Sequence, residues 1–217
     1  MKTFLSIGSG PGMSLATAER FAREGFQVVL SARNAAKTQV LADQLKAKGY
    51  RAEVRTVDAG NAASVAALIA EVEKTFGGIE VMHYNAASMR KATITEQPRE
   101  TFAEDLAVNI GNALVAVQGV VSGMSERGSG TILLTGGGYS LKPNPDYLSL
   151  SIGKAGVRAL VNGLFERLAQ SGVHIATVTV AATVESGSEQ VDAIAEHFWG
   201  LHNQPRDAWT AEVKYSW

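Results

Sequence analysis

The chain contains no cysteine. That excludes a disulfide framework, a thiolate nucleophile and a cysteine zinc site, and it accords with a reducing compartment. It also lacks any tract of lysine and arginine. With 20 basic and 21 acidic residues the formal net charge is −1, so no nucleic-acid partner is expected. No apolar run approaches the roughly 18 residues of a membrane span. The opening "MKTFLSIGSGPG" breaks into glycines too soon for a signal peptide. A cytoplasmic protein with no membrane contact is the expectation. His197 and His202 have poor ligand spacing and no carboxylate partner, so no metal is expected. Repeats, low-complexity segments and linkers are missing too. The 217 residues, 46% hydrophobic and 19% charged, suit one domain over 1–217 with a well-buried core.

What is present is an alternation of apolar runs with helical patterns. "TFLSI", "QVVLSA", "AEVRTVD", "IEVMHYNA", "GTILLTGGG" and "VHIATVTVAA" read as strands. Between them, "SLATAERFAREG" places Leu15, Ala18, Phe21 and Ala22 on one side and stops at Gly25. "AAKTQVLADQLKAKG" turns Val40, Leu41 and Leu45 inward, and a third helix opens at Asn61 or Ser64. Further helices run from about Phe102 to Met124, from the Pro143/Pro145 turn to about Gln170, and over about Glu189 to Leu201. Trp209, Tyr215 and Trp217 then cover a sheet edge or a subunit contact. Such spacing predicts an α/β fold, a doubly wound parallel sheet of six to seven strands with helices on both faces. Its ligand site should lie beyond the carboxyl ends of the strands.

The loop "GSGPGMS" joins the first strand to the first helix. Gly8, Gly10 and Gly12 allow close approach to a phosphate, and the helix N-terminus offers amides and partial positive charge. Ser14 adds a candidate hydroxyl donor. The second strand ends "SARN", with no acid to hold ribose hydroxyls; Arg33 instead suits a 2′-phosphate. That pattern favours NADP(H), with NAD(H) the alternative cofactor.

These residues resemble the short-chain dehydrogenase/reductase family, and the likeness covers about residues 3–187. The phosphate loop reads Ile7, Gly8, Ser9, Gly10, Pro11, Gly12, Met13, with Ser14 replacing the family's next glycine. Asp58, followed by Ala59, matches the acid bordering the adenine; Asn85 and Ala86 match half of the motif after the fourth strand, where Tyr84 and Ala87 depart from it. Asn109 matches the asparagine of a kinked helix and its relay water, and Lys154 the lysine at the nicotinamide ribose. Thr183 and Ser186 fall near the nicotinamide amide. The family's tyrosine, four residues before the lysine, is Leu150 here, and its serine is Gly137.

The resemblance therefore implies hydride transfer to or from a small carbonyl, alcohol or enoyl substrate, with an altered proton donor. Tyr147, seven residues before Lys154, has the spacing of the family's enoyl-reductase branch and is the first candidate; Tyr139 is the second. His83 reads as a satisfied core histidine, and Glu104 and Asp105 as charges at a helix N-terminus. A non-catalytic NADP(H)-binding protein of the same fold is the alternative. The helices carrying "LVAVQGVV" and "GVRALVNGLF" are apolar over a wide arc, which predicts a homodimer or tetramer.

Overall fold

The apolar runs form strands buried on both faces, and the helices between them supply the cover. A computed structural model describes residues 1–216; Trp217 lies outside them. The strands are β1 (Thr3–Ile7), β2 (Gln27–Ala32), β3 (Ala52–Thr56), β4 (Val81–Tyr84), β5 (Gly130–Thr135), β6 (Val173–Val180) and β7 (Glu212–Tyr215). They form one sheet in the order β3-β2-β1-β4-β5-β6-β7, with every neighbouring pair parallel. This is the doubly wound fold expected, and β7 is the edge strand that the aromatic tail supplies.

Strand alternation divides the core in two. Leu5, Ile7, Met82, Tyr84, Ile132 and Leu134 face α3 (Ala62–Phe76), α5 (Asn112–Arg127) and α6 (Leu148–Gln170). Phe4, Val28, Leu30, Val81 and Leu133 face α1 (Met13–Arg23), α2 (Ala35–Ala47) and α7 (Glu189–His202). The chain reverses direction across the sheet between β1 and β4, so a crevice opens there at the carboxyl ends of the strands.

Local signals set most boundaries. Asn34 and Asn61 cap α2 and α3, their side chains accepting from the Lys37 and Ser64 amides. Val40, expected inward, is 57% exposed; the buried stripe of α2 runs through Thr38, Leu41, Ala42 and Leu45 instead. Trp209 stacks on His174 of β6, ring centroids 4.7 Å apart.

The helix expected from Phe102 to Met124 is three pieces. α4 (Arg99–Leu106) passes into a π-helical turn, Ala107–Gly111, and then into α5. The run Arg99–Arg127 is long and apolar enough by composition to cross a membrane, as core helices can be. Its inner residues Ala113, Ala116, Val117, Val120 and Met124 pack in the core beneath the sheet.

The π turn is held from two sides. The Tyr84 hydroxyl donates to the Val108 carbonyl at 2.7 Å, taking up an acceptor freed by the irregular turn. From the other side α6 comes so close that a Cβ on Gly153 would lie 2.3 Å from Asn109 Cβ. Gly153→Ala is therefore expected to cost about 1–3 kcal/mol by overpacking. Gly163→Ala, on the same helix with nothing within 4 Å, should stabilise by roughly 0.5–1 kcal/mol. Urea unfolding of the two variants checks both signs.

Candidate active site

A cleft of about 1110 Å³ lies beyond the strand ends. At one end it is walled by Gly8, Ser9, Met13, Arg33, Asp58 and Ala59. Gly8 sits at φ +87°, and a Cβ there would lie 2.4 Å from the Ala86 nitrogen; only glycine allows both the turn and the approach. The Gly8 and Ser9 amides donate to the Ser31 carbonyl at 3.0 and 2.9 Å, tying the loop to β2. Arg33 is exposed at the end of β2 and makes no ion pair among the described residues. Asp58 accepts from the Gly60 amide at 2.9 Å.

The floor is a chain of hydrogen bonds. Asn85 Nδ2 donates to the Gly8 carbonyl at 3.1 Å, and the Thr135 hydroxyl donates to Asn85 Oδ1 at 2.8 Å. His83 Nε2 lies 3.0 Å from the same hydroxyl. Because that hydroxyl gives its proton to Asn85, His83 must donate through Nε2–H, leaving Nδ1 bare. No partner meets Nδ1 among the described residues. Burial, then the charge of Lys154, holds His83 down to about 3, so it is neutral at ordinary pH. Lys154 Nζ donates to the Thr135 carbonyl at 2.6 Å. Burial lowers its amine to about 8.

At the far end the wall passes through Ser88, Met89, Gly137, Tyr139, Leu150 and Val180. A Cβ on Gly137 would lie 3.3 Å from Lys154 Cγ, and Leu150 is 4% exposed. Lysine, asparagine and a glycine turn thus converge on one crevice with an apolar far end.

Comparison with known proteins decides the family. The model of the short chain dehydrogenases matches residues 2–193. The chain belongs to the short-chain dehydrogenase family. It is 30% identical to the glucose 1-dehydrogenase of Gluconobacter oxydans over 205 residues, 90% of this chain and 77% of that one. It is also 30% identical over 178 residues to an uncharacterized oxidoreductase of Staphylococcus aureus, covering 82% and 76% of the two chains. A short-chain dehydrogenase from Rhodopseudomonas palustris superposes with a TM-score of 0.90 at 26% identity, over 99% of this chain and 98% of that one. The fold is shared too with a metagenomic short-chain oxidoreductase in complex with NADP, at a TM-score of 0.89 and 21% identity, over 98% and 96% of the chains.

Within this short-chain dehydrogenase, Gly8, Ser9, Met13, Arg33, Asp58, Ala59, Asn85, Ala86, Lys154 and Thr183 line the cleft. Gly10, Gly12, Asn109 and Tyr147 do not. Gly12 caps α1, and the Gly10 carbonyl accepts from the Leu15 amide. Ser14 is no ligand donor: it is buried, with its hydroxyl 2.8 Å from that of Ser6. Tyr147 stands just before α6, as its prolines suggested, but its ring stacks behind Tyr139, centroids 5.7 Å apart. An isolated bridge to Ala92 fixes its backbone there. Of the two candidate phenols, Tyr139 is the one on the wall.

Asn109 acts on the backbone rather than in the cleft. It accepts from the Ser88 amide at 2.7 Å and donates to the Ser88 carbonyl at 3.1 Å. Asn112, not singled out from sequence, holds the Ala59 carbonyl at 2.8 Å.

Asp105 is corrected outright. It lies near the C-terminal end of α4, 2% exposed, and accepts from Ser88, Arg90, Gln97 and Ser149 at 2.5 to 3.3 Å. The carboxylate ties the wall segment after β4 to the first turn of α6. Burial alone would raise its pKa, but hydrogen bonds from Arg90, Ser88 and Ser149 outweigh that and lower it. A lowered folded-state pKa gives stability that is full above the ordinary aspartate range and lost as pH falls through the folded value. Asp105→Ala should cost about 2 kcal/mol or more at pH 7, below a fully buried pair because Arg90 is partly solvated. The variant should also lose that part of the acid dependence, which urea unfolding between neutral and acid pH measures.

Proposed function

We propose that the chain is an NADP(H)-dependent oxidoreductase acting on a small carbonyl, alcohol or enoyl compound. One observation carries the reading: the Lys154 amine stands at the end of β5 in the same cleft as the Gly8 turn and Arg33. The cleft fits a dinucleotide. It crosses the β1/β4 switch point, begins at the N-terminus of α1, and ends against apolar walls. A bound nicotinamide nucleotide supplies or accepts the hydride.

The chain's own residues do the rest. The Gly8 turn and the first turn of α1 receive the pyrophosphate, and Asp58 and Ala59 border the adenine. Arg33, with no carboxylate partner among the described residues, receives the 2′-phosphate through its planar fork. Lys154 and Thr183 hold the nicotinamide end. Leu150 and Val180, both buried, keep water from the reacting carbon. Leu150 and Gly137 occupy the places of the family's tyrosine and serine, so carbonyl orientation rests on shape more than on hydroxyl donors. Two copies meet through α5 and α6, where Leu114 and Ile152 are 51% and 48% exposed, in a cytoplasmic homo-oligomer.

Fluorescence titration should show NADPH binding, and Arg33→Ala should weaken it about tenfold or more, since hydrogen bonds to charged groups contribute ~1.5–3 kcal/mol. NADH binding should change far less. Equal losses would remove the case for NADP(H), and failure to bind either nucleotide would sink the oxidoreductase reading. Light scattering should give a dimer or tetramer mass; a monomer would refute the α5/α6 contact.

A further inference from the structure

We propose that Lys154 is itself the acid that protonates the substrate oxygen, in the position a phenol would otherwise fill. The inference rests on the oxidoreductase reading and adds a catalytic role to the lysine assigned there. An ammonium group has three N–H donors. One goes to the Thr135 carbonyl at 2.6 Å, and two remain for cofactor ribose and substrate. No carboxylate pairs with Lys154 among the described residues.

Its flanks leave the amine open to the cleft. Gly137 has no side chain where a Cβ would lie 3.3, 3.5 and 3.6 Å from the lysine's Cγ, Cδ and Cε. On the helix side, Leu150 presents only carbon. Of the competing donors, Tyr147 is behind the wall, while Tyr139 lines the cleft with its hydroxyl accepting from Asn144 Nδ2 at 3.4 Å, so it is the rival that the Tyr139→Phe arm below separates. His83 is neutral, gives its Nε2 proton to Thr135, and lies on the α1/α7 side of the sheet against Phe198. An acid works best when its pKa lies near the operating pH, and burial brings this amine to about 8.

The step balances. The carbonyl carbon gains a hydride, two electrons with a hydrogen, from a reduced nicotinamide. The carbonyl π pair moves onto oxygen, which forms an O–H bond as an Nζ–H bond breaks. The nitrogen keeps its pair, and the neutral amine takes a proton back from solvent.

Reduction needs the protonated amine, so its rate should fall as pH rises through the lysine's pKa. The groups around that titration are His83 on β4, Tyr139 and Lys142 on the loop after β5, Asp105 through Ser149, and Arg158 paired with Glu212 at 2.9 Å. Asp105 is ionised and His83 neutral across the window.

The cysteine-free chain permits a direct test. Lys154→Cys can be alkylated at that one thiol with 2-bromoethylamine, restoring an amine whose pKa the sulfur lowers. With NADPH and 4-nitrobenzaldehyde, the thiol form should be slower by roughly 100-fold or more. The aminoethylated form should regain turnover, with its descending pH limb shifted below that of the wild type. In ¹³C-lysine-labelled protein saturated with NADPH, the resonance removed by Lys154→Arg should titrate with the wild-type limb. A limb that stays at the wild-type pH, or that disappears in Tyr139→Phe, would overturn the role, as would a Lys154 titration in the ordinary lysine range. Absence of nucleotide binding would overturn the oxidoreductase reading and this role together; binding with an unmoved limb overturns the role alone.

Discussion

The site depends on how closely α6 can lie against the π turn. Gly153 has no Cβ because Asn109 occupies that space, 2.3 Å from where the carbon would be. The contact fixes Asn109, and its amide in turn grips both backbone groups of Ser88 on the cleft wall. Lys154 is the next residue along α6, so the same approach sets how deeply the amine sits. A larger residue at position 153 would displace wall and lysine together, although neither neighbour is remote in sequence from an ordinary-looking helix. The close packing of protein interiors gives such a contact no slack.

Thr135 is the second junction. Its carbonyl takes the lysine, and its hydroxyl stands between His83 and Asn85. Asn85 then reaches across to the Gly8 carbonyl. One threonine at the end of β5 thereby links the lysine, the glycine turn and the floor in a single polar chain. The imidazole at its buried end leaves Nδ1 without a partner among the described residues, a cost on the order of 1–3 kcal/mol. Protonation would place a cation in the sheet near Lys154, and that is why burial and the lysine both depress it.

Strand pattern and helix spacing made the sheet legible, because doubly buried strands are continuous apolar runs and the crossovers have helical period. The glycine turn, Arg33, Asp58 and Asn85 could be singled out because each follows a strand end, where such a fold presents ligands; Lys154 lies within α6 and is singled out by its match to the family's lysine. What sequence concealed was set by contacts between distant segments. Asp105 looks like any exposed helix acid until Ser88, Arg90, Gln97 and Ser149 converge on it. Tyr84 looks like a lost asparagine, yet its hydroxyl supports the π turn. The π turn has one sequence cue, Asn109, whose match implies a kinked helix; Gly153, Tyr84 and Ser88 hold the irregular backbone there. Tyr147 stands where the prolines put it, just before α6, but the direction of its ring could not be read from spacing. Helical spacing locates it seven residues from the lysine, but the turn before α6 puts its ring behind Tyr139.

Leu150 ties this architecture to the chemistry. A lysine beside a phenol serves it by remaining charged, since a nearby cation lowers the phenol's pKa. In the role proposed above, leucine stands in that place and the lysine itself brings the proton. The leucine and the surrounding walls withdraw water from the ammonium, which makes its charged form less favourable and its proton easier to give. Desolvation that would weaken the lysine as an electrostatic helper therefore strengthens it as an acid. The bare glycine at 137 leaves the lysine stem uncovered on its side of the cleft. Leu150 and Gly137 thus line the same cleft as one amine, held by the Thr135 carbonyl at the end of β5.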